Sequence, residues 1–192
     1  MKPILKKSIR AIFLLIALPL ALLSAFGRFK PLYSLWAQTC ALAPGLPGDY
    51  LRVAYYRLTL ERCSPESRVQ FGSTFAHREA RVGHNVFVGS YCVLGKTTIG
   101  ARTQIASGVQ IISGGRQHLR DAEGRISAEH GAFETIAIGA DCWIGAGSIV
   151  LADVGAGSTI GAGSVVVRPI PANSVAVGNP ARVLPARDGQ PA

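Results

Sequence analysis

Two of the chain's four histidines, His118 and His130, fall in one stretch, IISGGRQHLRDAEGRISAEHGAFETIAIG (residues 111–139), together with Asp121, Glu123 and Glu134. An imidazole changes charge nearest neutrality. It can therefore take a proton from a hydroxyl and return it, provided it sits within hydrogen-bond reach. A carboxylate beside it can fix its tautomer. Asp121 ranks first for that part because it is nearest to His118 along the chain; Glu123 follows, and Glu134 could return to it in space.

The stretch stands out because the chain on both sides repeats in sixes. Before it come VGHNVF, VGSYCV, LGKTT (one residue short), IGARTQ, IASGVQ and IISGGR; after it come IGADCW, IGAGSI, VLAD, VGAGST and IGAGSV. Each unit starts with an aliphatic residue, then Gly or Ala, then two variable residues, then a small or β-branched one. Six residues suffice for one short strand and a turn. The aliphatic residue points inward, and the next sits at a corner where a side chain would crowd the neighbouring coil. Three units close one triangular turn, and stacked turns bury a continuous aliphatic ladder. The sequence thus predicts a mostly β chain built as a parallel β-helix, with the stretch 113–135 thrown out of one coil as a loop. A smooth prism has no pocket, and a projecting loop can wall one off.

Three segments, WIGAGSIV (143–150), IGAGSVV (160–166) and VGNPARVL (177–184), resemble the closing coils of the hexapeptide-repeat acyltransferases, in particular the galactoside, maltose and capsule or exopolysaccharide O-acetyltransferases. The resemblance covers residues 69–184. It implies a left-handed β-helix, a homotrimer, active sites in clefts between subunits and acetyl-CoA as the acyl donor. It also implies that the projecting loop carries the catalytic base, here His118 with His130 as the rival, oriented by Asp121.

On the donor side the resemblance carries over Trp143, Ala146 (where a serine is common), Ala162, Arg168 and Arg182 as coenzyme A contacts. Where the family has Thr-Lys after the last coil's valines, this chain has Val167-Arg168, which keeps a charge for phosphate but loses the hydroxyl and the lysine geometry. Arg182, in GNPAR, is the partner expected for nucleotide phosphates. The linker VLADVGAGST is shorter than in the galactoside pattern, which alters the cleft near the pantetheine arm. The implied reaction is direct: the histidine takes the acceptor proton, the oxygen attacks the thioester, backbone N–H groups hold the oxyanion, and coenzyme A leaves as thiol.

The elements ahead of the repeat point to a membrane. Of 192 residues 22 are Gly, only 16% are charged, and the formal net charge is +9. The basic residues crowd into positions 2–30: Lys2, Lys6, Lys7 and Arg10 precede an apolar run over residues 11–26 that holds Pro19, and Arg28 and Lys30 follow. The run is short for a span and its end, Leu23-Ser24-Ala25, is a poor signal-peptide cleavage site. A re-entrant or interfacial segment among anionic headgroups fits best, at the cytoplasmic face of the cell membrane. Helices are expected over residues 31–42, with Tyr33 and Trp36 at the interface, and over 49–63, capped by Asp49 and edged by Arg52, Arg57 and Arg62. Residues 1–63 thus read as a membrane-associated helical region, 64–184 as the catalytic domain and 185–192 as a tail. Cys40, Cys63, Cys92 and Cys142 lack metal or redox spacing and read as reduced core thiols. No nucleic-acid motif accompanies the basic surplus.

These features converge on an acetyl-CoA-dependent O-acetyltransferase acting on a polysaccharide precursor or lipid-linked glycan, with no metal. The rival readings are another acyl donor or an amine acceptor, a non-catalytic trimeric scaffold, and a metal-dependent lyase of the γ-carbonic-anhydrase kind drawing on His77 and His84. The lyase lacks a histidine pair of the required spacing, and a scaffold has no need of a polar break in its repeat.

Overall fold

A computed structural model describes residues 3–115, 117–121 and 123–185. The expected tail beyond Pro185 and the first basic residue, Lys2, lie outside the described residues.

The repeat folds as expected, into a parallel β-helix of about six turns. Three parallel faces form. The first contains β1 (Arg62–Cys63), β4 (Arg81–Val82), β7 (Thr97–Ile99) and β12 (Ile136–Ile138), continued by single bridges at Val154 and Ile170. The second contains β2 (Arg68–Val69), β5 (Phe87–Val88), β8 (Gln104–Ile105), β13 (Trp143–Ile144), β15 (Thr159–Ile160) and β17 (Val175–Val177). The third contains β3 (Thr74–Phe75), β6 (Val93–Leu94), β9 (Gln110–Ile111), β14 (Ile149–Val150) and β16 (Val165–Val166).

In the two-residue strands of the three stacks the second residue points in. Val69, Val88, Ile105, Ile144 and Ile160 stack on the second face at no more than 1% exposure. Burying each isoleucine contributes about 1.5–3 kcal/mol. The Gly position is steric, as the repeat implies: a Cβ on Gly145 would lie 2.4 Å from the Ala162 nitrogen of the next coil. Before several strands the position is a buried Ser or Thr, among them Ser67, Ser73, Thr103, Ser148, Ser158 and Ser164. Thr103 Oγ1 donates to the Gly139 carbonyl at 2.7 Å, and Ser148 Oγ donates to the Gly161 carbonyl at 3.0 Å, so the corners carry no unpaired carbonyl there.

Three helices close the first coil: α1 (Pro3–Leu23), α2 (Lys30–Ala41) and α3 (Gly45–Thr59). Several expectations for this region are corrected. Helix α3 starts at Gly45, four residues early, so Asp49 lies inside it rather than at its cap. Arg52 is not on a basic solvent edge but fully buried. Its Nη1 donates to the carbonyls of Cys40 and Ala43 at 3.1 and 2.7 Å, its Nε to Val69 at 2.8 Å, and Asp49 balances its charge at 2.8 Å. One side chain thus satisfies the last carbonyls of α2 and locks both helices to the first coil. Tyr33 is likewise in the core and not at an interface: its hydroxyl donates to the Phe75 carbonyl at 2.8 Å, while its own carbonyl accepts from Tyr55 at 3.0 Å. Trp36 packs partly buried against the same core.

Pro19 lies inside α1 and does not end it. The chain reverses after α1 through Ala25, Phe26 and Gly27, all in the left-handed region; a Cβ on Gly27 would meet the Thr59 carbonyl oxygen at 2.7 Å. Among the described residues no helix is long and apolar enough to cross a membrane. Helix α1 nevertheless leaves Ile12, Leu15, Ile16, Leu22 and Leu23 at least half exposed, while Phe13, Ala17 and Leu20 pack on the core side. All four cysteines are free and buried.

Candidate active site

The repeat breaks after β9, at the edge where the third face turns into the first. The chain leaves the coil there and re-enters at β12. Between them, within the expected projecting loop 113–135, stands a β-hairpin, β10 (His118–Arg120) paired antiparallel with β11 (Ile126–His130). In its register His118 lies opposite His130 and Arg120 opposite Ile126. The side chains of β10 are exposed.

Asp121 makes the hairpin turn. Its Oδ1 accepts the N–H groups of Glu123 and Arg125 at 3.1 and 2.9 Å, and its Oδ2 accepts from Arg125 Nε at 3.0 Å. Gly124 takes the left-handed φ of +80° that the turn requires. This carboxylate therefore fixes the hairpin that presents His118 and is engaged by Arg125.

The hairpin base is tied down on three sides. Gly131 N–H donates to Gln117 O at 2.9 Å, Glu134 N–H to Ser113 O at 2.9 Å, and Ile136 N–H to Lys96 O at 3.0 Å. Below it on the same edge stands His77, its ring 4.9 Å from that of Phe133. Burial pushes the His77 imidazole below its ordinary value of 6.5, and Lys30 adds to the effect. Sequence reasoning missed this neighbour, although stacking would have found it: Phe75, Leu94 and Ile111 are in register, so His77, Lys96 and Ser113, two residues on, fall on one edge. His84 instead faces Glu66 at 3.4 Å, so the two histidines of the lyase reading are engaged apart. Among the described residues no group of three metal-binding side chains comes together.

The donor-side candidates lie elsewhere on the prism. Trp143 is 62% exposed on the second face, flanked by Gln104 and Thr159. Ala146 and Ala162 are exposed and stacked at the edge between the second and third faces, where Gly163 N–H donates to the Ala146 carbonyl at 2.8 Å. Arg168 is exposed on the hairpin's own edge, following β16. Arg182 begins β18 (Arg182–Val183), which folds back antiparallel onto β17 opposite Val177. Within one chain the third face separates the Trp143–Ala146–Ala162 group from the hairpin.

Residues 135–168 match the family model described as the hexapeptide repeat of succinyl-transferase. Among solved structures the chain is similar to a maltose O-acetyltransferase from Clostridium difficile 630, at 29% identity and TM-score 0.67 over 79% of this chain and 83% of that one. It shares its fold with a hexapeptide-repeat-containing acetyltransferase from Vibrio cholerae, at 24% identity and TM-score 0.70 over 85% and 91% of the two chains. It shares it also with a polySia-specific acetyltransferase, of which it spans 63% at 23% identity and TM-score 0.52 over 65% of its own length. By sequence alone no curated protein matches. The chain thus carries a hexapeptide repeat of the acyltransferase kind in the solenoid fold of these acetyltransferases, and it resembles the galactoside, maltose and capsule O-acetyltransferase group.

Proposed function

We propose that the chain transfers an acetyl group from acetyl-CoA to a hydroxyl of a polysaccharide precursor or lipid-linked glycan, at the cytoplasmic face of the membrane. The observation that carries this reading is the single break in the solenoid: a pinned hairpin whose exposed strand bears His118 beside an otherwise smooth prism. His118 takes the acceptor proton as the oxygen attacks the thioester carbonyl, and Asp121 holds the strand that presents it. Backbone N–H groups of a Gly-rich coil meet the oxyanion, and the proton passes to the leaving thiolate of coenzyme A. Trp143, Ala146 and Ala162 flank the pantetheine arm, and Arg168 and Arg182 face the nucleotide phosphates.

The two groups of residues occupy different edges of one prism. A cleft that uses both takes the hairpin from one subunit and the Trp143 edge from its neighbour, which is the arrangement of a homotrimer. The exposed apolar side of α1, with Lys6, Lys7 and Arg10 at one end and Arg28 and Lys30 at the other, supports peripheral or monotopic attachment.

The test is turnover by the full-length protein with acetyl-CoA and a panel of envelope glycan precursors. Succinyl-CoA belongs in the same panel, because the matching repeat model is described by a succinyl-transferase. Thiol release that requires both acetyl-CoA and a glycan acceptor supports the reading. Release with succinyl-CoA alone reassigns the donor, and no release with any pair overturns it.

A further inference from the structure

The helical cap holds a second polar site that the acyl-transfer chemistry leaves unused. A cavity of about 420 Å³ opens between the first turns of α1, helix α3 and the start of the first coil, lined by Lys6, Arg10, Tyr50, Glu66 and Arg68 among others. A smaller one of about 270 Å³ adjoins it, shares Arg10 and Glu66, and adds Lys7 and Arg57. The two cavities are cationic. Of their basic residues, Arg68 pairs with Asp49 at 3.4 Å and Arg10 with Glu66 at 3.3 Å, and Asp49 is also claimed by Arg52. Among the described residues Lys6, Lys7 and Arg57 make no ion pair, and all three are exposed.

Arg10 is the unusual member. Its Nε is buried and has no hydrogen-bond partner among the described residues, although Nη1 reaches Glu66. A buried guanidinium N–H without an acceptor costs free energy, and guanidinium geometry matches a phosphate with two parallel bonds. The surroundings select the kind of phosphate. Leu46 on the cavity's lining is 60% exposed, and Ile4 and Leu5, in the same first turn of α1 as Lys6, are 77% and 52% exposed. A soluble anion gains nothing from these exposed side chains, whereas a lipid places its phosphate among the cations and its chains against Leu46 and the start of α1.

We propose that this cavity binds the phosphate of an anionic membrane lipid, with Arg10 as the fork and Lys6, Lys7 and Arg57 as the surrounding charge. The inference rests on the membrane reading of α1 given above. It goes further by naming one headgroup site instead of a diffuse basic surface.

The test is co-flotation of the full-length protein with phosphatidylcholine vesicles, with and without phosphatidylglycerol. The site requires strong preference for the phosphatidylglycerol vesicles. Arg10→Lys, which keeps the charge and loses the fork, weakens that binding about tenfold, whereas Arg28→Lys at the far end leaves it unchanged. Lys6→Gln/Lys7→Gln, at exposed positions that leave the fold intact, lowers it about fivefold per charge. Equal binding of wild type and Arg10→Lys to anionic vesicles overturns the site while sparing the membrane reading. No binding of wild type to either vesicle overturns both. Inorganic diphosphate that binds the lipid-free protein as tightly as the vesicles do makes the ligand a soluble anion and overturns the lipid assignment. Coenzyme A binding, measured on the same samples, reports on the acyltransferase reading separately.

Discussion

His118 and His130 stand opposite each other across the antiparallel pair of the projecting hairpin, with their backbones in register. The hairpin turn therefore sets the backbone positions of both candidate bases at one register. The pairing makes the assignment of the base a direct experimental question. His118→Ala should cost about 10²–10⁴-fold in kcat with coenzyme A affinity unchanged, the range for removing a general base. Its exposed strand position means a stability change within about 0.5 kcal/mol. Single-turnover and equilibrium-binding measurements on the same sample separate the two. Full activity in His118→Ala together with loss in His130→Ala moves the base across the hairpin.

Asp121 acts on the hairpin and through it on His118. Replacing it with Ala removes two bonds from backbone N–H groups and an ion pair to Arg125. At this partly exposed turn the loss is about 1 kcal/mol, enough to raise the open hairpin population about fivefold. Trypsin cleavage after Arg120 or Arg125 should accelerate by that factor, while the thermal midpoint of the solenoid stays in place. An unchanged cleavage rate in Asp121→Ala would show that the turn holds without its carboxylate.

Arg52→Met should be the most destabilising single change in the helical cap. It strands the carbonyls of Ala43 and Val69, takes a second donor from that of Cys40 and removes a partner of Asp49. Breaking a buried pair on one side costs about 3–5 kcal/mol, which for a chain of this size is about 10 °C in thermal midpoint. Differential scanning calorimetry reads it directly. A shift below about 2 °C would mean that the cap and the coils unfold independently.

Two kinds of group set the pH dependence of stability, and both act in the same direction. The His77 imidazole is held below its ordinary 6.5 by burial, so the unfolded chain takes up its proton first. That contribution is present above pH 6.5 and is lost as pH falls through and below it. Asp141, held down by hydrogen bonds from Arg102, and Glu66, held down chiefly by Ser64, contribute stability above the ordinary carboxylate range. Theirs is lost as pH falls through the depressed folded values. Denaturant midpoints between pH 8 and pH 5 should therefore decline, and His77→Gln should flatten the decline without affecting the more acidic one. A slope in His77→Gln equal to wild type assigns the decline to other groups.

The coils were legible because their physics is local and periodic: an aliphatic residue every sixth position, a Gly where the next coil passes within van der Waals contact, a small polar residue between them. Gly145, Ile144 and Ser148 could each be placed from the pattern. The helical cap was less legible because tertiary contacts set its residue roles. Arg52 reads as a solvent edge at helical spacing, and only the ending of α2 beside it shows why a guanidinium is buried. Tyr33 reads as an interfacial aromatic until its hydroxyl is seen to reach the Phe75 carbonyl. At the candidate site, His118 and Asp121 stand out by residue type, but the hairpin that opposes His118 to His130 left no periodic mark in so short a span. His77 read only as a candidate metal ligand, because its relation to the loop runs across coils and not along the chain.

The register of the second face crosses the interruption undisturbed, with Gln104 and Ile105 pairing Trp143 and Ile144 as if the intervening hairpin were absent. The prism and its projection are thus separable heritable modules. Insertions, deletions or wholesale exchange between β9 and β12 leave every rung of the ladder where it was. A lineage of such chains can rewrite about two dozen residues of the projection with the folding problem already solved by the rest.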